Sequence, residues 1–242
     1  MKQPSCIKIA DDEIFFGIFN LDYYKTYLSS FLEILSDEEK NRAERYKFER
    51  DKLHYIISHG ILRKILSLIL NCNPKLISID ISDEGKPFLD TPEHCDLKFN
   101  LSHSNGMLFL ALTRHDEIGV DIEYIKATRN LKDIIKRFFS PDEYKQYLQL
   151  PEAQKLAAFY FGWTCKEAFV KAIGSGVTES FSQFSVNMNP SLPATILSIP
   201  ESCSKEKNWH IQQIDSPLDF QAAICWQGHT KKLQLFDAFQ DF

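Results

Sequence analysis

The sequence predicts an α+β fold in which two similar subdomains each pack helices on a short, mainly antiparallel sheet. Both halves of the chain carry helical patterns and short alternating strand patterns, in a similar order. The 242 residues, 44% of them hydrophobic, are enough material for two small cores. Because a polar turn at 114–117 separates the halves, we expect subdomains over residues 1–115 and 116–242.

In the first half, apolar residues recur at helical spacing between residues 21 and 35. Ser36 and Glu39 then form a capping box, in which each side chain bonds the other residue's backbone N–H, and it opens a charged helix. The expected elements are a strand at 13–19, helices at 21–35, 36–48 and 50–70, and strands at 76–81, 97–101 and 107–113.

The second half repeats this combination. Ser140, Pro141 and Glu143 form a second helix-starting signature, with the serine at the cap and proline at the first helical position. Gly174 and Gly176 stop the last long helix. The expected elements are a strand at 118–125, helices at 131–139, 140–150 and 151–173, and strands at 181–187, 209–214, 220–226 and 232–236.

Composition argues against several functional classes. The net charge is −5, from 28 basic and 33 acidic residues, whereas nucleic-acid binders are usually basic, so no nucleic-acid partner is expected. No uninterrupted apolar run reaches the roughly 18 to 20 residues that span a bilayer, and the N-terminus lacks a secretory signal. A soluble cytoplasmic protein without a membrane partner is therefore expected.

The six cysteines are far apart and form no Cys-x-x-Cys pair, which argues against a zinc ribbon or a disulfide framework. We expect reduced thiols, most of them buried. Cys165 lies within a candidate motif, so a nucleophilic role is one alternative. No histidine with a supporting acid is close in sequence, and cysteine often serves as a small hydrophobe.

Two short motifs carry the clearest chemical signal. In the strand Gly119-Val120-Asp121-Ile122-Glu123, alternation directs Asp121 and Glu123 to one face. These carboxylates repel each other unless a cation lies between them. In the helix, Glu167 occupies a stripe of otherwise apolar or small residues, where an unpaired carboxylate costs several kcal/mol. A third carboxylate there suits a hard divalent ion, although a surface Glu167–Lys171 pair is the alternative.

Other features are compatible with an anion site. The strand Phe99–Ser104 ends in Ser102, His103 and Ser104, which can bind a phosphate or form an ordinary polar turn. A basic cluster is either a solvated helix face or part of an anion site. Its members are Lys40, Arg42, Arg45, Lys47, Arg50 and Lys52.

Five motifs occur in one order: Gly-Lys-Pro at 85–87, Phe-Asn-Leu-Ser-His-Ser at 99–104, Gly-Val-Asp-Ile-Glu at 119–123, Arg-Phe-Phe-Ser at 137–140 with Glu143 behind it, and Trp-x-x-Lys-Glu-Ala-x-x-Lys at 163–171. In this combination the chain resembles 4'-phosphopantetheinyl transferases of the surfactin-synthetase-activating type. The resemblance covers roughly residues 45–184. It implies a fold of two α+β subdomains, an active site at their interface and a monomer.

The resemblance further implies transfer of 4'-phosphopantetheine from coenzyme A to a serine of an apo acyl or peptidyl carrier protein, with release of 3',5'-ADP. Asp121, Glu123 and Glu167 would hold Mg²⁺, with Mn²⁺ possible, against the pyrophosphate. The implied coenzyme A contacts are Lys86, Ser102, His103, Lys166 and Lys171, with Arg42 added by alignment. Lys171 would also neutralise or protonate the leaving group.

The carrier serine must lose a proton. The resemblance implies Glu143 as the acceptor, and a water held by Asp121 is the alternative. His54 and Tyr55 stand where the family has a basic residue and a small hydroxyl, which leaves coenzyme A contacts in that helix open. Two rival functions are a non-catalytic coenzyme A or carrier-binding protein and a different Mg²⁺-dependent phosphohydrolase. Docking of the carrier is expected at a local basic patch, with Lys126, Arg129, Lys132, Lys136 and nearby Ile125 or Phe139.

Overall fold

The computed structural model describes residues 7–127, 130–174, 181–199 and 208–236. The helices are α1 (Leu28–Ile34), α2 (Asp37–Ala43), α3 (Glu49–Leu70), α4 (Leu131–Phe138), α5 (Pro141–Gln149) and α6 (Lys155–Ile173). The strands of the first half are β1 (Glu13–Asn20), β2 (Ile79–Ile81), β3 (Pro87–Leu89), β4 (Leu97–Ser104) and β5 (Met107–Arg114). The remaining strands are β6 (Ile118–Tyr124), β7 (Ser185–Val186), β8 (Ile196–Ser198), β9 (Trp209–Ile214), β10 (Phe220–Gln227) and β11 (Lys232–Leu235).

Two sheets with a helix on each outer face form the body of the protein. The first sheet has the order β11-β1-β5-β4, and the second has the order β6-β10-β9. The long helix α3 covers the first sheet through an apolar core that includes Ile57, Ile61 and Phe99. Helix α6 covers the second sheet through Ala168, Phe169 and their neighbours. The α+β prediction is confirmed, with a helix-covered, mainly antiparallel sheet in each half.

The inner faces of the two sheets share a third core. Phe109 and Ala111 of β5 pack in one cluster with Val120 of β6 and Ile224 of β10. All of these side chains are inaccessible to solvent. Because this core joins the halves, the site between them rests on a packed interface rather than on a linker.

The last strand returns to the first half. β11 pairs in parallel with β1, with Glu13 opposite Lys232 and Phe16 opposite Leu235. Just before β11, the Lys231 ammonium bonds to Asp116 Oδ2 at 2.7 Å. Asp116 lies in the turn at 114–117, where the chain passes from the first half to the second. The boundary at 115/116 stays a prediction, but β11, which we assigned to the second subdomain, belongs to the first sheet.

Several predicted elements are shorter than expected. The predicted helix 21–35 begins as a 3₁₀ helix at Leu21–Tyr27, where aromatic side chains with poor helix propensity are frequent. The predicted strand 76–81 is reduced to β2 because Pro74–Leu76 forms a 3₁₀ turn. Of the predicted strand 181–187, only β7 is extended. The short strands β3 and β8 were not predicted.

Helix α3 is long and apolar enough, by length and composition, to cross a membrane, and within the described ranges it is the one such helix. However, 61% of its most apolar window is buried inside the protein. Arg63 and Lys64 interrupt its apolar run, which is why no spanning segment is predicted from the sequence. Packing against the first sheet accounts for the apolar composition.

Candidate functional site

The site begins with a close contact between β6 and α6. A Cβ atom on Gly119 would lie 2.1 Å from the Ala168 carbonyl oxygen and 2.3 Å from the Ala172 nitrogen. Only glycine permits these backbones to touch. The glycine that opens the Gly-Val-Asp-Ile-Glu motif therefore lets α6 place Glu167 and Lys171 beside the carboxylates of β6.

Asp121 is the centre of the site. It is 2% exposed, and its Oδ1 accepts hydrogen bonds from Ser102 Oγ at 2.8 Å and Lys171 Nζ at 2.7 Å. The same lysine donates to Ser102 Oγ at 2.9 Å, which closes a triangle. Asp121 Oδ2 is buried and has no hydrogen-bond partner within the described part of the chain.

Glu123 and Glu167 lie next to Asp121. Ser104 Oγ donates to Glu123 Oε2 at 2.9 Å. Burial, and then repulsion from Asp121, raise the pKa of the Glu123 carboxyl. The same two causes raise the pKa of Glu167 to about 7, and Glu167 is 8% exposed. The alternation of β6 and the stripe on α6 thus bring the three predicted carboxylates together.

The arrangement suits a divalent cation that retains water ligands. Three mutually repelling carboxylates and an unpartnered buried oxygen are the environment that a hard cation relieves, and Mg²⁺ usually takes few protein ligands. Lys171 pairs with Asp121 rather than with Glu167, so it supplies one compensating charge. Among the described residues no group of three His, Cys, Asp or Glu side chains forms a ready-made metal cage.

Glu143 and Lys166 are placed elsewhere, and their predicted roles need correction. Both side chains are fully buried, and Lys166 Nζ donates to both Glu143 oxygens at 2.8 Å and to the Phe184 carbonyl at 2.8 Å. Glu143 also accepts the N–H groups of Ser140 and Val186. With its oxygens occupied and no solvent access, Glu143 is not placed in this structure to take a proton from a bound protein.

The Glu143–Lys166 pair is a structural clamp. It joins the start of α5, the strand β7 and helix α6, and the Phe184 ring lies 3.9 Å below the ammonium. Burial lowers the pKa of Lys166 to about 8, although Glu143 opposes this shift. Lys166 is therefore a buried cation held by its partners, not a ligand for phosphate in the cleft.

A polar cleft of about 250 Å³, separate from the three carboxylates, lies between α3 and the end of β4. His103 faces solvent there, and Arg50, His54 and Tyr55 complete the wall. Although part of the ring faces solvent, partial desolvation of the rest, followed by repulsion from His59 and Lys171, lowers the pKa of His103. Two carboxylates accompany the basic groups of this cleft: Asp51, which also lines it, lies 3.4 Å from Arg50 Nε, and Asp22 lies 3.3 Å from His54 Nε2.

Arg42 lies near this cleft, with its guanidinium 5.9 Å from the centre of the Tyr55 ring. The sequence indicates Arg50 only as a member of the basic cluster. It also leaves open whether His54 binds coenzyme A. The basic cluster at 40–52 was the available signal, but the helical register decides which members reach the cleft. Lys40 instead pairs with Asp37.

The other predicted residues have different partners. Lys86 Nζ donates to Glu117 Oε2 at 2.8 Å and to the Ala172 carbonyl at 3.1 Å, beside a separate cavity of about 420 Å³. Ser102 is 6% exposed and its hydroxyl donates to Asp121, so it does not face the His103 cleft. Cys165 is buried among apolar groups, which raises the pKa of its thiol and excludes a thiolate nucleophile.

Comparisons with known proteins agree with the motifs. Residues 117–225 match the model of the 4'-phosphopantetheinyl transferase superfamily, and residues 24–115 match that of the N-terminal region of 4'-phosphopantetheinyl transferases. The 4'-phosphopantetheinyl transferase HetI of Nostoc sp. is 34% identical over 83% of this chain and 84% of its own. The Sfp enzyme of Bacillus subtilis is 27% identical over 81% of this chain and 83% of its own.

One solved structure is a holo-(acyl-carrier-protein) synthase from Bacillus anthracis in complex with coenzyme A. It is 23% identical, with a TM-score of 0.37, and it covers 46% of this chain and 94% of its own.

The clamp can be tested by unfolding. Glu143→Ala leaves the buried Lys166 charge unpaired, and loss of one partner of such a pair costs roughly 3 to 5 kcal/mol. We expect this loss in the free energy of unfolding measured in urea, and a smaller loss in the double variant Glu143→Met with Lys166→Met. A Glu143→Ala protein with unchanged stability and no catalytic activity would contradict the clamp and restore Glu143 as the base.

The raised pKa of Glu167 predicts a pH-dependent stability when no divalent metal is present. The favourable contribution of its protonated form is complete below the ordinary pKa of 4.5 and is lost as pH rises through about 7. Glu167→Gln mimics the protonated form. At about 1.4 kcal/mol per pKa unit, it should be more stable than the parent protein by up to roughly 3 kcal/mol near pH 8.

This difference should vanish by about pH 4, where the carboxyl is protonated in both the folded and the unfolded protein. Urea unfolding in EDTA across this pH range measures it. Glu38→Gln, the same chemical change at an exposed position of α2, is the control and should show no such trend. A constant difference between Glu167→Gln and the parent at all pH values would refute the assignment.

Proposed function

The chain belongs to the 4'-phosphopantetheinyl transferase superfamily, and from this premise we propose how its own residues perform the reaction. It transfers the 4'-phosphopantetheine moiety of coenzyme A to a serine of an apo carrier protein and releases 3',5'-ADP. The serine oxygen forms a bond to the phosphorus that bears pantetheine, the bond from that phosphorus to 3',5'-ADP breaks, and the serine proton leaves. The observation that carries the assignment of the site is the unpartnered, buried Oδ2 of Asp121 beside Glu167 and Lys171.

Asp121, Glu123 and Glu167 are the residues that would hold Mg²⁺ or Mn²⁺. When bound, the ion supplies charge neutralisation at the pyrophosphate oxygens. Its binding would also relieve the repulsion that raises the pKa of Glu123 and Glu167. The dependence on a divalent ion is part of our proposal.

Lys171 is the proposed catalytic cation. Its side chain is 26% exposed, so one side faces the cleft while Asp121 and Ser102 hold the other. A cation oriented in this way stabilises negative charge that develops on the leaving 3',5'-ADP without reorganising during the reaction. Its anchors on β4 and β6 make the position rigid.

We propose a water held by Asp121 as the proton acceptor. Both oxygens of Glu143 already accept from Lys166 Nζ and from backbone N–H groups, which supports Asp121 over Glu143. The buried, unpartnered Oδ2 is an oxygen with free capacity to accept a hydrogen bond from such a water.

We assign the 3'-phosphate end of coenzyme A to the cleft at His103. Its wall has His103, His54 and Arg50, with Arg42 near Tyr55. Arg50 is paired with Asp51 and His54 with Asp22, so a phosphate would have to compete with these carboxylates. Lys86 and Ser102, which the family resemblance places at this end, are bound to Glu117 and Asp121 instead. Lys86 can join coenzyme A only by releasing that ion pair.

The proposed carrier surface is the exposed side of α4 and the segment before it. Lys126, Lys132 and Lys136 are exposed there, and a groove of about 540 Å³ runs beside Leu131 and Lys132 toward the start of α6. Arg129, part of the same prediction, lies outside the described residues. Phe139 is 3% exposed and cannot contact a partner as predicted, whereas Ile125 is half-buried at the surface. A monomeric state and a cytoplasmic location stay predictions.

The reaction is tested with the full chain, coenzyme A, Mg²⁺ and apo carriers of the fatty-acid, polyketide and peptide types. Mass spectrometry should detect the phosphopantetheine adduct on a carrier serine. Lys171→Met should lower kcat by about 10² to 10³, the usual effect of losing one electrostatic stabiliser, and Asp121→Ala should abolish transfer. Coenzyme A binding without any adduct would instead establish the non-catalytic alternative, and 3',5'-ADP release without a carrier would establish a phosphohydrolase.

Charge reversal tests the carrier surface. Lys132→Glu with Lys136→Glu should raise the apparent KM for an acidic carrier about tenfold and leave the KM for coenzyme A unchanged, because only the docking surface changes. Steady-state kinetics at low salt measure both constants. Lys8→Glu with Lys75→Glu, an equal charge change at exposed positions of the first half, is the control. Equal effects of the two pairs would refute the assigned surface.

A further inference from the structure

The edge strands β4 and β6 belong to different sheets and run beside each other without a backbone ladder. Side chains of β4 at alternating positions form the hydrogen bonds between them. Asn100 Oδ1 accepts from the Val120 N–H at 2.9 Å, and Ser102 and Ser104 each donate to a carboxylate of β6. We call Asn100, Ser102 and Ser104 the polar seam.

Within the seam, each carboxylate of β6 receives one hydroxyl. The two-residue period of β4 matches that of β6, so Ser102 faces Asp121 and Ser104 faces Glu123. The family motifs explain Asp121 and Glu123 as acidic residues, but they leave Ser104 without a role. The hydrogen bond from Ser104 to Glu123 indicates what that role is.

The direction of the Ser104 hydroxyl is determined by its two partners. Ser104 Oγ accepts the Tyr124 N–H at 3.0 Å and donates its proton to Glu123 Oε2 at 2.9 Å. A hydroxyl has a single proton, and the backbone donor occupies one of its lone pairs. The proton is therefore directed at the carboxylate, which stays in one orientation.

We propose that Ser104 is a positioning residue that holds the Glu123 carboxylate in the orientation needed to bind the divalent ion; this inference rests on the proposed function. A residue that hydrogen-bonds a metal ligand typically changes metal affinity by about 10- to 100-fold when it is removed. Ser104 acts through Glu123 and needs no contact with coenzyme A or the carrier serine.

A purely structural role predicts something different. If Ser104 only joined the two strands, its loss would resemble the loss of Asn100, whose side chain accepts a hydrogen bond from the backbone of β6 rather than donating to a carboxylate. Asn100 is therefore a control within the polar seam, two residues before Ser102 on β4. Ser104→Thr retains the hydroxyl and is the conservative variant.

The experiment titrates Mn²⁺ into the full chain in the presence of coenzyme A and measures free Mn²⁺ by electron paramagnetic resonance. We expect Ser104→Ala to raise the Kd for Mn²⁺ at least about tenfold. Ser104→Thr and Asn100→Ala should stay within about twofold of the parent protein, although Asn100→Ala should unfold at a lower temperature. In a Glu123→Gln background, Ser104→Ala should have no further effect. Should Ser104→Ala not fold, Ser104→Cys keeps the volume with a weaker donor and should also raise the Kd.

The outcomes separate this inference from the proposed metal site. An unchanged Kd in Glu123→Gln would remove Glu123 from the metal site and overturn both. A raised Kd in Glu123→Gln with an unchanged Kd in Ser104→Ala would overturn the positioning role alone. Equal increases in Ser104→Ala and Asn100→Ala would assign Ser104 to the joining of the strands and also overturn it.

Discussion

The contact between β6 and α6 at Gly119 is the constraint on which the site depends. Helix α6 contributes Glu167 and Lys171 to the site, and β6 contributes two carboxylates. Neither element alone can bind a cation and an anion together. Because Gly119 has no side chain, the helix backbone lies against the strand, and the charged side chains of both elements reach the same point.

Charge balance then explains the neighbouring residues. Three carboxylates in a poorly solvated cleft cannot all remain ionised without compensation, as the raised pKa values of Glu123 and Glu167 show. Lys171 compensates one of them, and the hydroxyls of β4 stabilise the charges on β6. The remaining imbalance favours a divalent cation. On the far side of β4, His103, His54 and Arg50 line the separate cleft that we propose for a phosphate.

Local patterns predicted the parts of the molecule that local chemistry determines. Both capping boxes are present, at Ser36 and at Ser140, because their bonds join residues three positions apart. Strand alternation placed Asp121 and Glu123 on one face, and the helical stripe marked Glu167. The 3₁₀ start at Leu21 was missed because aromatic spacing resembles that of a regular helix.

Contacts between residues far apart in sequence could not be predicted from local patterns. Charged side chains are seldom buried, so the sequence predicts that Lys166 and Glu143 face a cleft. The rings of Phe139, Phe181 and Phe184 that enclose Lys166 are brought together only by the fold. Glu39 is similar: although burial acts to raise its pKa, hydrogen bonds from His59 and Arg63 lower it and anchor α2 to α3. Which cations face the cleft depends on packing that only the fold determines.

The return of β11 to the first sheet has a topological consequence. Within the residues that the structure describes, the chain crosses between the halves twice, at 114–117 and at 228–231, and an ion pair between Lys231 and Asp116 joins the two crossings. Severing the first crossing would therefore not release two independent units, since the second half would still contribute a strand to the sheet of the first. A fragment ending near residue 115 would expose the edge of β1 that β11 covers, and an uncovered strand edge invites pairing with other chains.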